Sequence, residues 1–225
     1  MRAFAHRGCP VLAPENTLAA FRAATPRLPC VELDVRRCGS GELVVFHDET
    51  VDRMTDGSGA VADATLSELQ ELRVGDSSES IPTLAAVFDA LPDSTFVNVE
   101  LKESGLATDL AAIVADVPNE VLVSSFDADA LREIREASAL PVAYLFADDW
   151  ADSLAVAVDL DCAAVHPYYE LLSAARVGEA QDAGFDVNTW TVPDRETVER
   201  LRQWGVDGVI VDDPALVAEK ETESS

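Results

Sequence analysis

The chain holds three histidines, His6, His47 and His166, and each falls at the end of a run with strand character. His6 adjoins Arg7, and His47 is followed by Asp48. Two imidazoles facing one pocket can serve as general base and general acid near neutral pH. Glu32 and Asp34 are two residues apart, as are Glu100 and Lys102, and residues so spaced on a strand share a face. Singly, these are ordinary strand-end charges. Together at one mouth, three carboxylates repel unless protons or a cation compensate. Glu32, Asp34 and Glu100 are therefore candidate ligands for one divalent cation, and oxygen-only donors favour Mg²⁺ or Ca²⁺ over Zn²⁺. Arg7 offers a fork that fits two phosphate oxygens, and Lys102 a point charge. The only other lysine is Lys220, so Lys102 beside Glu100 is marked either for phosphate binding or for balancing the carboxylates. Fixed positive charge beside a divalent cation suits a phosphoryl group that gains negative charge as it reacts. His166, in the run AVHPYYE, lacks such neighbours and reads as structural.

These residues need a scaffold that collects strand ends at one place. Runs with strand character fall at 2–6, 31–35, 43–47, 95–101, 120–126, 141–146, 162–167, 186–192 and 207–212. Helical spacing of apolar residues separates most of them, at 17–24, 84–91, 128–137 and 195–203 among others. Asn16, Asp127 and Asp194 stand where N-caps belong. Alternating strands and helices predict a parallel sheet. Nine strands is one too many for a (β/α)₈ barrel, but the linker between 35 and 43 is too short for a parallel crossover and holds Gly39 and Gly41. Strands 31–35 and 43–47 therefore form an antiparallel hairpin. A turn centred on Ser40-Gly41 would set Asp34 opposite His47, and eight parallel strands remain for a TIM barrel. Residues 48–80 are polar and glycine-bearing, carry one short helix at 66–72, and read as an excursion capping the mouth. The expected organisation is one domain over 1–218 with a polar tail at 219–225.

Composition removes several functions. Asp plus Glu number 42 against 16 Lys plus Arg, a formal charge of −26, which excludes a basic nucleic-acid footprint and disfavours anionic membranes. Acidity spread along a chain nearly free of lysine suits a high-salt cytoplasm, where screening relieves self-repulsion. Cys9, Cys30, Cys38 and Cys162 show no CxxC spacing and read as free thiols. No apolar run reaches the length of a membrane span, and the start MRAFAHRGCP does not have the make-up of a secretory signal, so a cytoplasmic protein is expected. No Gly-x-Ser-x-Gly elbow occurs, which excludes hydrolases built on one.

One ordered set of motifs spans nearly the whole chain: His6-Arg7-Gly8, Pro14-Glu15-Asn16-Thr17, Glu32-Leu33-Asp34-Val35, Phe46-His47-Asp48, Ile81-Pro82-Thr83-Leu84, Glu100-Leu101-Lys102, Ser125-Phe126-Asp127, Trp190-Thr191-Val192 and Gly205-Val206-Asp207-Gly208. In order and spacing it resembles the glycerophosphodiester phosphodiesterase family. The resemblance implies a TIM barrel with a small cap insertion and hydrolysis of a small glycerophosphodiester to glycerol phosphate and an alcohol. It implies that His6 and His47 are the acid/base pair, that Glu32, Asp34 and Glu100 bind one divalent cation, and that Arg7 and Lys102 contact the phosphate. Trp190 would line the pocket for glycerol or the leaving alcohol. Cys38, Ser40, Pro193 and Val211 depart from the family pattern; Pro193 and Val211 lie near the expected pocket and bear on substrate preference. Two rival readings keep the barrel: a phospholipase-D-like or cyclising lyase, and a non-catalytic barrel that binds phosphodiesters or metal.

Overall fold

The computed structural model describes residues 1–218; the expected polar tail at 219–225 lies outside the described residues. Nine strands form one sheet: β1 (Arg2–Ala5), β2 (Cys30–Arg37), β3 (Leu43–Val45), β4 (Phe96–Leu101), β5 (Val121–Ser125), β6 (Val142–Phe146), β7 (Ala164–Pro167), β8 (Asp186–Thr189) and β9 (Gly208–Val211). β1 pairs in parallel with both β2 and β9, so eight parallel strands close into a barrel, and β3 returns antiparallel along β2. The helices are α1 (Leu18–Ala24), α2 (Leu66–Glu71), α3 (Leu84–Ala90), α4 (Ala107–Val114), α5 (Ala128–Ala137), α6 (Trp150–Asp159), α7 (Ala174–Asp182) and α8 (Arg195–Trp204). All but α2 lie on crossovers between parallel strands. None is long and apolar enough to cross a membrane.

Alternation along the strands builds two apolar layers. Val31, Leu33 and Val35 of β2 face outward into the main core with Phe21 of α1 and Leu84 and Val87 of α3. Phe4, Cys30 and Ile210 point into the barrel, as do Leu122, Ala143 and Ala164. This lumen changes character toward the strand C-termini, where Glu32, Asp34, Asn98, Glu100, Ser124, His166 and Asn188 are all buried. The β2–β4 register sets Glu32 beside Asn98 and Asp34 beside Glu100. A barrel carrying buried charge at one end has its chemistry there.

Two local expectations are corrected. The hairpin pairs Val35 with Val45, and Phe46 N–H donates to the Asp34 carbonyl at 3.0 Å, so Phe46 and not His47 lies opposite Asp34. The cause is a loop centred on Ser40 alone: Cys38 N–H bonds Glu42 O at 3.0 Å, and Gly41 takes φ +106° to close it. The cap of α1 is Thr17, whose Oγ1 accepts from Ala20 N–H at 3.2 Å, and not Asn16. Asn16 adopts a left-handed φ of 58°, and its side chain serves the site instead. Asp127 and Asp194 do cap α5 and α8.

The excursion at 48–80 packs on a small core of its own, with Val51, Val61, Leu69 and Val74 against Val44, Phe46 and Ile81. Helix α2 within it begins in a reciprocal Thr65–Glu68 capping box.

Candidate active site

The chain turns sharply where β1 ends. Arg7, Gly8 and Cys9 all take positive φ, at 51°, 80° and 63°. A Cβ on Gly8 would sit 2.7 Å from Ala20 Cβ, so glycine is required there both for its φ and for the approach of α1. The turn aims the Arg7 backbone N–H at Glu32 Oε2, 3.0 Å away. Arg7 and Cys9, two non-glycine residues with positive φ on either side of Gly8 at a cluster of charges, are the kind of backbone strain that functional sites hold.

Glu32, Asp34 and Glu100 meet in the lumen, with one oxygen of each within 4.8 Å of the others. Asp34 accepts from Asn16 Nδ2 at 2.8 Å, has Lys102 Nζ at 3.5 Å, and has Arg7 Nε at 3.2 Å without hydrogen-bond alignment. Burial pushes its carboxyl up, but Arg7, Lys102, His47 and the Asn16 amide outweigh this and hold Asp34 ionised. Glu100 lies 2.5 Å from Lys102 Nζ, yet burial and the Asp34 charge raise its pKa. For Glu32, burial and then Asp34 push the carboxyl up to about 8. Its Oε1 is buried without any hydrogen-bond partner. Two cationic side chains therefore do not neutralise three carboxylates, and an orphaned carboxylate oxygen faces the gap. This donor set fits a hard divalent cation.

Both imidazoles are anchored alike. His6 Nδ1 and His47 Nδ1 each lie 2.6 Å from a carboxylate oxygen, of Asp212 and Asp48 respectively. The pKa values of Asp212 and Asp48 lie below the usual range, and an ionised carboxylate only accepts. Nδ1 therefore carries the proton in each ring. Nε2 is left for the pocket, with that of His6 lying 4.0 Å from Glu32 Oε2. The two rings differ in affinity for a second proton. Burial lowers the His6 pKa, but the Asp212 hydrogen bond and the Glu32 charge override it and leave it raised. Burial also lowers the His47 pKa, and there Asp34 and Asp48 do not compensate.

Asp48 is shared: Arg53 Nε donates to its Oδ2 at 2.5 Å, and Arg53 Nη2 to its Oδ1 at 3.0 Å. The same guanidinium donates to Glu15 Oε1 at 2.7 Å, which also accepts from Arg7 Nη1 at 2.9 Å. Arg53, from the excursion, thus joins the His47 and Arg7 sides of the site.

His6, Arg7, Glu32, His47, Glu100, Lys102 and Trp190 line one pocket of about 90 Å³, with Asn98 and Phe126 also in its wall. That is well below the ~300–1,000 Å³ of pockets that enclose a whole small molecule. A volume of this order suits a group as small as a phosphoryl. A larger groove, about 630 Å³, lies on the outer wall by Met1, Leu28 and Val217 and holds none of these groups. His166 is fully buried below the pocket, where burial pushes its pKa down to about 3. Its Nε2 lies 3.0 Å from Asn188 Nδ2.

Every residue proposed from sequence except Asp34 lines the pocket, and Asp34 lies directly behind it, beside Arg7 and Lys102. Sequence reasoning did not assign Glu15, Asn16, Asp48, Arg53, Asn98 or Asp212. Asp48 and Asp212 carried a signal, since each stands at a strand end where a histidine needs a partner. Arg53 carried none, because nothing in its spacing tells which of many acids it meets.

A family model described as the glycerophosphoryl diester phosphodiesterase family matches residues 6–216. A glycerophosphodiester phosphodiesterase of Caldanaerobacter subterraneus subsp. tengcongensis is 37% identical over 93% of this chain and 93% of its own. Among solved structures, an Oleispira antarctica phosphodiesterase in complex with the product sn-glycerol-3-phosphate superposes with TM-score 0.90 at 29% identity, covering 95% of this chain and 94% of that one. A glycerophosphodiester phosphodiesterase from Thermotoga maritima gives TM-score 0.84 at 30% identity, with 96% of each chain covered.

Proposed function

The chain belongs to the glycerophosphoryl diester phosphodiesterase family of phosphoric diester hydrolases, and we propose that it cleaves small glycerophosphodiesters to glycerol phosphate and an alcohol by metal-assisted acid–base catalysis at His6 and His47. The observation that carries this reading is the matched pair of imidazoles, each tied at Nδ1 to a carboxylate and open at Nε2 beside the acidic triad. Glu32, Asp34 and Glu100 would hold one divalent cation, Mg²⁺ or Ca²⁺. When bound, that cation supplies positive charge that polarises a phosphoryl oxygen and offsets the charge of the transition state.

The remaining work falls to the chain's own groups. Arg7 and Lys102 hold the phosphate oxygens against the triad. Neutral His47 accepts at Nε2 a proton from the attacking water, whose oxygen forms the new bond to phosphorus as the bond to the alcohol oxygen breaks. Protonated His6 delivers its Nε2 proton to the oxygen of the departing alcohol. Trp190 packs along the alcohol arm. The excess of carboxylates along the chain supports a working environment of high salt.

Kinetics of His6→Ala and His47→Ala test the reading. Each change should lower kcat by about 10²–10⁴-fold while leaving thermal unfolding near that of the wild type. The pH profile of kcat/KM should be bell-shaped. His47 must be neutral, and its lowered pKa sets an acid limb below pH 6.5. His6 must be protonated, and its raised pKa sets a basic limb above pH 6.5. Wild-type turnover in both variants would sink the assignment.

A further inference from the structure

The lumen wall around the acidic triad holds polar side chains that the reaction leaves unused. Asn98 and Ser124 are buried, and Asn98 Oδ1, Asn98 Nδ2 and Ser124 Oγ have no hydrogen-bond partner. Folded proteins pair nearly all such groups, with protein or with ordered water. Their placement is specific. The β2–β4 register sets Asn98 beside Glu32, and the β4–β5 register sets Ser124 beside Glu100. Asn98 also lines the pocket, and Glu32 Oε1 on the adjacent strand is itself unpartnered.

Asn98 and Glu32 offer a donor and an acceptor on adjacent strands, yet they do not bond each other. Ser124 and Glu100 do not either. Asn98 pairs with Leu122 in the register, so Asn98 and Ser124 are diagonal neighbours on β4 and β5. A single water spans such a separation, and a buried water typically makes about three hydrogen bonds. The chemistry of the triad calls for one here. A hard divalent cation takes at least six oxygens, and Mg²⁺ keeps several waters when it binds. One oxygen from each of three carboxylates leaves positions open, and only those on the pocket side can take phosphate. A water on a cation turns both hydrogens outward and needs two acceptors. Asn98 Oδ1 and Ser124 Oγ are two unpartnered acceptors, each beside a carboxylate of the triad.

We propose that Asn98 and Ser124 together hold one water in the barrel lumen as a ligand of the triad's cation. The inference rests on the metal-assisted reading above. The oxygen of this water faces the cation, and its hydrogens go to Asn98 Oδ1 and Ser124 Oγ. Both are therefore positioning residues that touch neither cation nor substrate. Being neutral, they add an oxygen ligand without adding charge to a site already rich in carboxylates. Their part is to set how tightly the cation is held.

Calorimetric titration of the full chain with MgCl₂ tests this. Asn98→Leu, close in volume but without the amide, and Ser124→Ala should each weaken Mg²⁺ binding by about 10–100-fold. The double variant should bind no more weakly than the weaker single one, because both changes remove the same water. Thermal unfolding without metal checks that the variants fold, and Ser124→Ala removes only a hydroxyl. A crystal structure of the Mg²⁺-loaded chain should show a water about 2.0–2.1 Å from the ion and within hydrogen-bond reach of both side chains. Wild-type affinity in both folded variants, losses that multiply in the double variant, or a loaded structure without that water would each overturn the proposal. Any of these leaves the hydrolase reading intact. A wild-type chain that binds neither Mg²⁺ nor Ca²⁺ would instead overturn the metal-assisted reading, and the proposal with it.

Discussion

Arg53 shows how one side chain outside the pocket can set two inside it. Its guanidinium bonds Asp48, which fixes the His47 ring, and Glu15, which holds Arg7. Without it, two carboxylates would press on those groups with their charge uncompensated. Arg53→Ala should lower kcat/KM by about 10–100-fold, the usual effect of removing a partner that orients a reacting group. Arg53→Lys should recover only part, because a point charge cannot bridge both carboxylates as the fork does. Steady-state kinetics decide this, and a wild-type Arg53→Ala would refute the link. At this scale residue type and strand-end position were enough to single out His6, His47 and the triad as candidates, and the fold brings them together at one mouth. Their supports were not legible from sequence. Asp212 lies 206 residues from His6, and only closure of the barrel makes them neighbours.

The turn after β1 is the element on which the site depends most. It must pass through three left-handed residues to aim the Arg7 amide at Glu32 while α1 packs against Gly8. Gly8→Ala should destabilise the protein by about 1–3 kcal/mol from the backbone alone, and the 2.7 Å contact with Ala20 adds to that. Metal affinity should fall as well, since Glu32 loses its amide donor. Urea unfolding and calorimetric metal titration measure the two effects, and unchanged values in both would contradict the role given to the turn. Strand number and the antiparallel return of β3 followed from run lengths and from the short linker between β2 and β3. The one-residue error at Asp34 and His47 came from the loop, because the Gly39-Ser40-Gly41 sequence accommodates a centre on Ser40 or on Ser40-Gly41. The cap of α1 was misread for a related reason. Asn16 and Thr17 are both good caps, and only the nearby Asp34 determines that the amide turns inward.

At the scale of the whole molecule the dominant physical fact is a charge of −26 on 225 residues. Self-repulsion of that size weakens the compact state in dilute buffer and is relieved as the screening length drops from about 10 Å at 0.1 M salt to about 3 Å at 1 M. The melting temperature should therefore rise steadily with KCl over that range, and a flat or falling curve would contradict a high-salt adaptation. The barrel itself was legible because seven crossovers and one hairpin admit few other topologies. The bridge from His47 through Asp48, Arg53 and Glu15 to Arg7 was not, since it forms only when loops distant in sequence share a rim. The central claim, that a cation at the triad and two histidines cleave a phosphodiester, is tested most directly by phosphorus NMR of glycerophosphocholine incubated with the full chain. The diester resonance should convert to that of glycerol phosphate with Mg²⁺ or Ca²⁺, stop converting in EDTA, and resume when the cation is restored. A diester signal that persists with either cation, or conversion that continues undiminished in EDTA, would contradict it.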